Sequence, residues 1–151
     1  MGVSTDGQIC YGIAFEEDFA FPWGDNLEEW WTYKVHGFKH SLELFDADGS
    51  YLNGRKPTAA ETERYYGERR AFNATIPLPV QLVNYCSGDY PMYALAVPST
   101  VLTASRGNPT VFEPSALTVT RSEKDALLKF LADHNIEAPS EPAWLLTSLW
   151  M

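Results

Sequence analysis

Cysteine is scarce in this 151-residue chain: only Cys10 and Cys86 are present. Two cysteines exclude the disulfide framework that staples small secreted domains, and with no histidine at ligand spacing they make no zinc site. Both sit in apolar, strand-like stretches, so the expectation is a pair of buried thiols in a reducing compartment. Long apolar runs are also missing. Stretches such as Leu95–Pro98 and Ala143–Leu146 fall far short of the ~20 residues needed to cross a bilayer. The opening Met1-Gly2-Val3-Ser4-Thr5-Asp6 has neither a basic flank nor an apolar stretch, which speaks against a signal peptide, and Asp6 stands where myristoylation wants Ser or Thr. The expected location is the cytoplasm.

Basic residues are few: 11 Lys and Arg against 20 Asp and Glu, a net charge of −9. Such a chain repels phosphate, so direct nucleic-acid binding is disfavoured. The imbalance is concentrated up to Gly54. There Asp6, Glu16, Glu17, Asp18, Asp25, Glu28, Glu29, Glu43, Asp46 and Asp48 face only Lys34 and Lys39. Such asymmetry suits a basic partner surface as well as plain solubility.

Aromatic residues, by contrast, are abundant: five Trp, eight Tyr and eight Phe. They argue against disorder and for a packed core, and the length fits a single domain spanning residues 1–151. Alternation of Ile9, Tyr11, Ile13 and Phe15 with Cys10, Gly12 and Ala14 reads as a strand with one large and one small face. Asp25 is the expected N-cap of a short helix over 26–35, with Leu27, Trp30, Trp31 and Lys34 on one face. A second strand is expected at Ser41–Phe45, followed by a turn at 46–50. Thr58 and Glu61 form a capping box opening a helix over 59–73, with Tyr65, Phe72 and either Tyr66 or Arg69 inward.

Val80–Cys86 and Met92–Val97, joined by 87–91, read as a β-hairpin, and a further strand fits near Val101–Ser105. Ser122 is the expected cap of a helix over 123–134, with Leu127, Leu128, Leu131 and His134 buried and Asn135 ending it. Ala143–Trp150 reads as a last strand with Trp144, Leu146, Ser148 and Trp150 on one face. The order β-α-β-α-β-β-(β)-α-β implies an α+β fold: an antiparallel or mixed sheet with about three helices packed on it.

Few constellations carry chemistry. Cys86, at a strand end before the turn Ser87-Gly88-Asp89, is placed as a nucleophile would be, with Asp89 to orient a histidine such as His36. Ser-Gly-Asp is also an ordinary turn, and the structural reading is favoured over catalysis. Asp46-Ala47-Asp48-Gly49-Ser50 resembles the start of a calcium loop, but Tyr51 and Pro57 occupy the positions of its glycine and glutamate. His36 and His40 lie four apart with Gly37 between them, which breaks a helical ligand pair. No metal and no cofactor are expected. Trp30, Trp31 and Trp144 are expected in the core, while Trp23 in a loop and Trp150 at the terminus suit an interface.

The opening residues, together with Phe15-Glu16-Glu17, Phe21-Pro22-Trp23, the Trp30-Trp31 pair, Leu82–Gly88 and the Trp-rich last strand, resemble small proteins encoded by bacteriophages and prophages. The resemblance implies an accessory phage protein, a class that includes inhibitors of bacterial defence such as anti-CRISPR proteins. The leading expectation is therefore a protein-binding inhibitor of a host defence complex, with no nucleic-acid or membrane contact of its own. Glu16, Glu17, Asp18, Trp23, Asp25, Glu28 and Glu29 would meet a basic partner surface, such as that of a nucleic-acid channel. The alternatives are a small enzyme using Cys86 on a nucleotide or other small molecule, and a phage structural or assembly component.

Overall fold

A computed structural model describes residues 4–151, so Met1-Gly2-Val3 of the opening segment lie outside the described residues. The first strand, β1 (Thr5–Ala14), is long because its two alternating faces both find cover: Cys10 and Gly12 are buried on one side, Ile13 and then Phe15 on the other. The chain divides into two compact units, residues 1–24 with 79–151, and residues 25–78.

The first unit holds every strand. The hairpin forms as β2 (Gln81–Ser87) and β3 (Pro91–Ala96), followed by β4 (Leu102–Ser105) and β5 (Ala143–Trp150). All pairings are antiparallel except β2 with β5, so the sheet is mixed and the fold α+β. The order is β3-β2-β5-β1-β4, and β1 additionally pairs with β3, so β1, β5, β2 and β3 close into a ring. A four-strand ring leaves little interior. It is filled by Cys10, Val83, Ala94 and Ala96, with Tyr85, Val101 and Leu145 packed against them. The small face of β1 is thus the ring interior. At Gly12 the backbone of β3 comes so close that a β-carbon would lie 2.1 Å from the Leu95 carbonyl oxygen. Opposite the short β2–β5 contact, the Gln8 side-chain amide donates to the Asn84 carbonyl (3.2 Å), supplying a bond that β5 does not.

Helix α3 (Arg121–Asp133) is capped by Thr120 rather than Ser122. Glu123 stands three residues after Thr120 and returns its carboxylate to the Thr120 amide, the reciprocal pair a capping box requires. Its buried stripe is Leu127, Phe130 and Leu131; Leu128, expected inward, is 43% exposed because Phe130 takes the inner place, against Trp23. Asn135 ends the helix in the left-handed conformation, as expected.

The second unit is built differently. Helix α1 (Leu27–Glu29) runs straight into a π-helical turn (Trp30–Val35), and its cap is Asn26, not Asp25: the Asn26 side chain lies at the right spacing to accept from the Glu29 amide. Helix α2 (Ala59–Thr75) is capped by Thr58 as expected. The expected strand at Ser41–Phe45 does not form; Ser41 is tied to Glu68 of α2 through its amide and hydroxyl, and only a single bridge, Phe45 with Tyr51, remains around the 46–50 turn. Aromatic stacking stands in for an aliphatic core: Phe38 on Phe72 (4.6 Å between centroids), His40 on Tyr65 (3.5 Å), and Arg69 over Tyr33 (5.4 Å). Of the two options for the α2 face, Arg69 is thus the one turned inward, while Tyr66 is exposed. The fully buried Thr32 hydroxyl bonds both the Glu28 carbonyl and the Asn73 side chain at 2.8 Å, tying the π-helical turn to α2.

Candidate functional site

After β1, the chain makes a turn in which the Phe19 amide donates to the Glu16 carbonyl at 3.1 Å. Phe15, Phe19 and Phe21 lie 4.7–4.9 Å from one another, and Trp23 stacks on Phe21 at 4.6 Å with planes 13° apart. Those rings pull the flanking residues inward and leave Glu16, Glu17 and Asp18 as the outer arc of the turn, all exposed. None of the three enters a salt bridge among the described residues. Three adjacent, uncompensated carboxylates on a loop anchored by rings form a stiff acidic projection.

Trp23, expected as a partner-facing anchor, is 7% exposed and sits beneath this loop, 6.2 Å from Phe130. Its role is to hold the loop. The reason is the spacing: Phe15, Phe19, Phe21 and Trp23 are all available to one aromatic cluster, and burying an indole there outweighs leaving it in water.

Asp25, Glu28 and Glu29 belong to the second unit and are exposed. Glu28 is partly spent within that unit, accepting from Arg69 (3.5 Å) and from the Asn73 amide (3.3 Å). The acidic residues therefore fall into two groups on separate units: Glu16, Glu17 and Asp18 lie together in the first, and in the second only Glu28 of the three enters a salt bridge among the described residues.

The cysteines part company. Cys10 is buried in the ring interior, and burial pushes its thiol pKa up. Cys86 is exposed, against expectation, and takes a positive φ of 77° at the end of β2, where the hairpin turns. The neighbouring Ser87, Gly88, Asp89, Trp150 and Met151 line a shallow groove of about 260 Å³. Asp89 is exposed, and neither it nor Cys86 makes a side-chain hydrogen bond to a histidine among the described residues. His36 lies in the second unit with its ring edge on Trp31, 4.4 Å away, and His134 packs on Phe130 at 4.8 Å.

No family model, curated protein or solved structure matches the chain.

Among the described residues no three His, Cys, Asp or Glu side chains are grouped to hold an ion. His40 instead shares a 2.8 Å hydrogen bond between its Nε2 and the Tyr33 hydroxyl. Asp46-Ala47-Asp48-Gly49-Ser50 is a closed turn in which Asp48 accepts from both the amide and the hydroxyl of Ser50. Among the described residues no helix is long and apolar enough to cross a membrane.

Sequence reasoning missed one surface. Trp144 was expected in the core, yet the face of β5 carrying Trp144, Leu146 and Trp150 points outward, with Leu146 81% exposed. The inward residues are Leu145, Thr147 and Leu149. A period of two names the two faces of a strand but not which one the fold covers; the greater polarity of Thr147 over Leu146 pointed the wrong way.

Proposed function

We propose that this protein acts by binding another protein, with Glu16, Glu17 and Asp18 meeting a basic surface on its partner. The observation that supports this reading is the acidic projection itself: three exposed carboxylates without counter-ions, on a loop whose shape is set by Phe15, Phe19, Phe21 and Trp23. A preorganised charged loop loses little entropy on docking, and its charge steers encounter with a basic partner. The likeness to phage-encoded proteins extends the proposal: a phage-type inhibitor of a bacterial defence complex, anti-CRISPR-like in action, whose target presents a basic nucleic-acid channel. The test is a tagged pull-down from bacterial lysate at low and moderate salt, comparing the natural chain with the triple variant Glu16→Gln, Glu17→Gln, Asp18→Asn. Loss of three exposed ion pairs should weaken capture of a stoichiometric partner by roughly 3- to 150-fold, with a shallower salt dependence. Equal capture by both chains refutes the role of the loop.

A second reading rests on Cys86, exposed at a positive φ beside the groove of Trp150 and Met151. It makes the protein a small enzyme acting on a nucleotide or other small molecule. An activated thiolate alkylates far faster than an ordinary exposed thiol near neutral pH. Labelling of Cys86 at the rate of a free cysteine peptide removes this reading.

A further inference from the structure

Of the six asparagines in the chain, one is followed by glycine. Asn26, Asn73, Asn84 and Asn135 precede residues with side chains, and Asn108 precedes proline, which has no N–H. Asn53 precedes Gly54, so no side chain shields the backbone nitrogen next to its carboxamide. Both residues are exposed, and a β-carbon built on Gly54 would meet no atom within 4 Å. Water and hydroxide reach this pair freely.

The second unit holds the pair in one conformation. Leu52–Gly54 is a single 3-10 turn directly after the Phe45–Tyr51 bridge, and the Leu52 amide donates to the Leu44 carbonyl at 3.0 Å. Within the turn Asn53 takes φ 58° and ψ 22°, a left-handed conformation that asparagine tolerates better than most residues with a β-carbon. The Gly54 amide donates to the Tyr51 carbonyl (2.9 Å) and the Arg55 amide to the Leu52 carbonyl (3.4 Å). Just beyond, the Arg55 guanidinium bonds both carboxylate oxygens of Glu61 (3.2 and 3.0 Å), beside the Thr58 cap of α2.

We propose that Asn53–Gly54 is a covalent self-modification site, deamidating through a succinimide at a rate set by opening of this turn. The Gly54 amide gives its proton to hydroxide, and its nitrogen attacks Asn53 Cγ. The Cγ–Nδ2 bond breaks, the departing nitrogen takes up a proton and leaves as ammonia, and a five-membered imide remains. Water then opens the imide. Attack at Cγ restores the ordinary main chain with an aspartate at position 53. Attack at the main-chain carbonyl leaves the chain running through Cγ, as isoaspartate. One water enters and one ammonia leaves, with no change of oxidation state.

The closed turn blocks the first step twice over. Ring closure needs the Gly54 nitrogen on the same side of the Asn53 Cα–C bond as Cβ. At ψ 22° that nitrogen nearly eclipses Asn53's own nitrogen, and the handedness of an L-residue puts Cβ on the far side. The proton that must leave is also held in the hydrogen bond to Tyr51. Reaction therefore runs through the small fraction of turns that are locally open. Its product changes the surroundings. Asn53 shares a recess of about 50 Å³ with Glu43, Arg55 and Glu61, so a new carboxylate there competes with Glu61 for Arg55. Isoaspartate adds a carbon to the main chain, which the turn cannot accommodate with its hydrogen bonds intact. Neither the acidic loop nor Cys86 takes part.

The experiment follows the full chain by peptide mass spectrometry in oxygen-labelled water at mildly alkaline pH, folded and in guanidinium chloride. Label enters position 53 when the imide forms and is hydrolysed, and chromatography separates the aspartate and isoaspartate products. In denaturant, position 53 should label first among the six asparagines and give both products. In the folded chain it should label roughly 5- to 150-fold more slowly, the range set by two turn hydrogen bonds of ordinary net strength. Gly54→Ala, read in denaturant where folding plays no part, should slow labelling by about tenfold or more, because its methyl group obstructs the attacking nitrogen. Equal rates in the folded and unfolded chain overturn the gating by the turn. Absence of label at position 53 in denaturant, or faster labelling at another asparagine, overturns the site.

Discussion

Replacing Gly12 with alanine tests the closed ring of strands at its tightest point. A β-carbon built there lies 2.1 Å from the Leu95 carbonyl oxygen and 2.7 Å from the Ala96 α-carbon. Both are main-chain atoms of β3, so no change of rotamer relieves the overlap, and β3 must move off β1. Overpacking of this kind typically costs 1–3 kcal/mol, and a clash against backbone belongs at the upper end, about 3 kcal/mol. For a chain near this length each kcal/mol lowers Tm by roughly 2–4 °C, so a fall of about 6–12 °C is expected. Gly7→Ala is the control in the same strand: its β-carbon would meet nothing nearer than the Ala104 carbonyl oxygen at 3.9 Å. Removing glycine from a strand with no steric conflict should stabilise by about 0.5–1 kcal/mol. Urea and thermal unfolding, followed by tryptophan fluorescence, give the two differences. Hydrogen exchange should also accelerate at the amides of Ala94, Leu95 and Ala96, where β3 pairs with both β1 and β2. If Gly12→Ala and Gly7→Ala agree within about 0.5 kcal/mol, the ring is not closed as described, because the measured cost would fall below any real backbone overlap.

Two further outcomes follow from the packing. His40 is held below its ordinary pKa of 6.5 chiefly by burial, opposed by a hydrogen bond to the Tyr65 backbone and by Glu68 and assisted by Arg69; the Tyr33 and Tyr65 rings also face it. The unfolded chain therefore takes up a proton before the folded one does. Stability from this site is full above about pH 6.5 and falls as pH drops from there toward the folded pKa; pH-dependent unfolding should lose that slope in His40→Gln, and an unaltered slope refutes the assignment. On α3, Leu127→Ala should cost about 2–5 kcal/mol, whereas Leu128→Ala, at a surface position, should stay within about 0.5 kcal/mol; equal costs in denaturant unfolding would place the buried stripe wrongly.

Local chemistry was legible in the residues themselves. The hairpin, the Thr58 cap of α2 and the left-handed Asn135 all rest on interactions within a few residues, and each stands where its residues put it; the last strand also forms where its alternation puts it, although its partners β1 and β2 are distant in the chain. Errors came where two nearby candidates competed. Thr120 is the cap rather than Ser122 because it stands three residues before Glu123; Asp25 and Asn26 each stand three residues before a glutamate, and Asn26 is the one that is extended and accepts from the Glu29 amide. The strand expected at 41–45 failed because a strand needs a neighbour, and Ser41 is bound instead to Glu68, 27 residues away.

Exposure and function were the harder part. Composition and alternation by themselves determined that this is an α+β chain with a strongly acidic first third, an aromatic core and a last strand with two distinct faces. They also placed Glu16, Glu17 and Asp18 between two aromatic segments, which is why those carboxylates project. Only the tertiary structure decided that Trp23 holds the loop from beneath, that Cys86 is exposed while Cys10 is not, and that Trp144, Leu146 and Trp150 face outward. The physical reason is that burial is a property of pairs of surfaces. A strand specifies two faces, but which one is covered depends on where β1 meets β3 at Gly12 and where α3 comes to rest, contacts between segments about 80 to 110 residues apart.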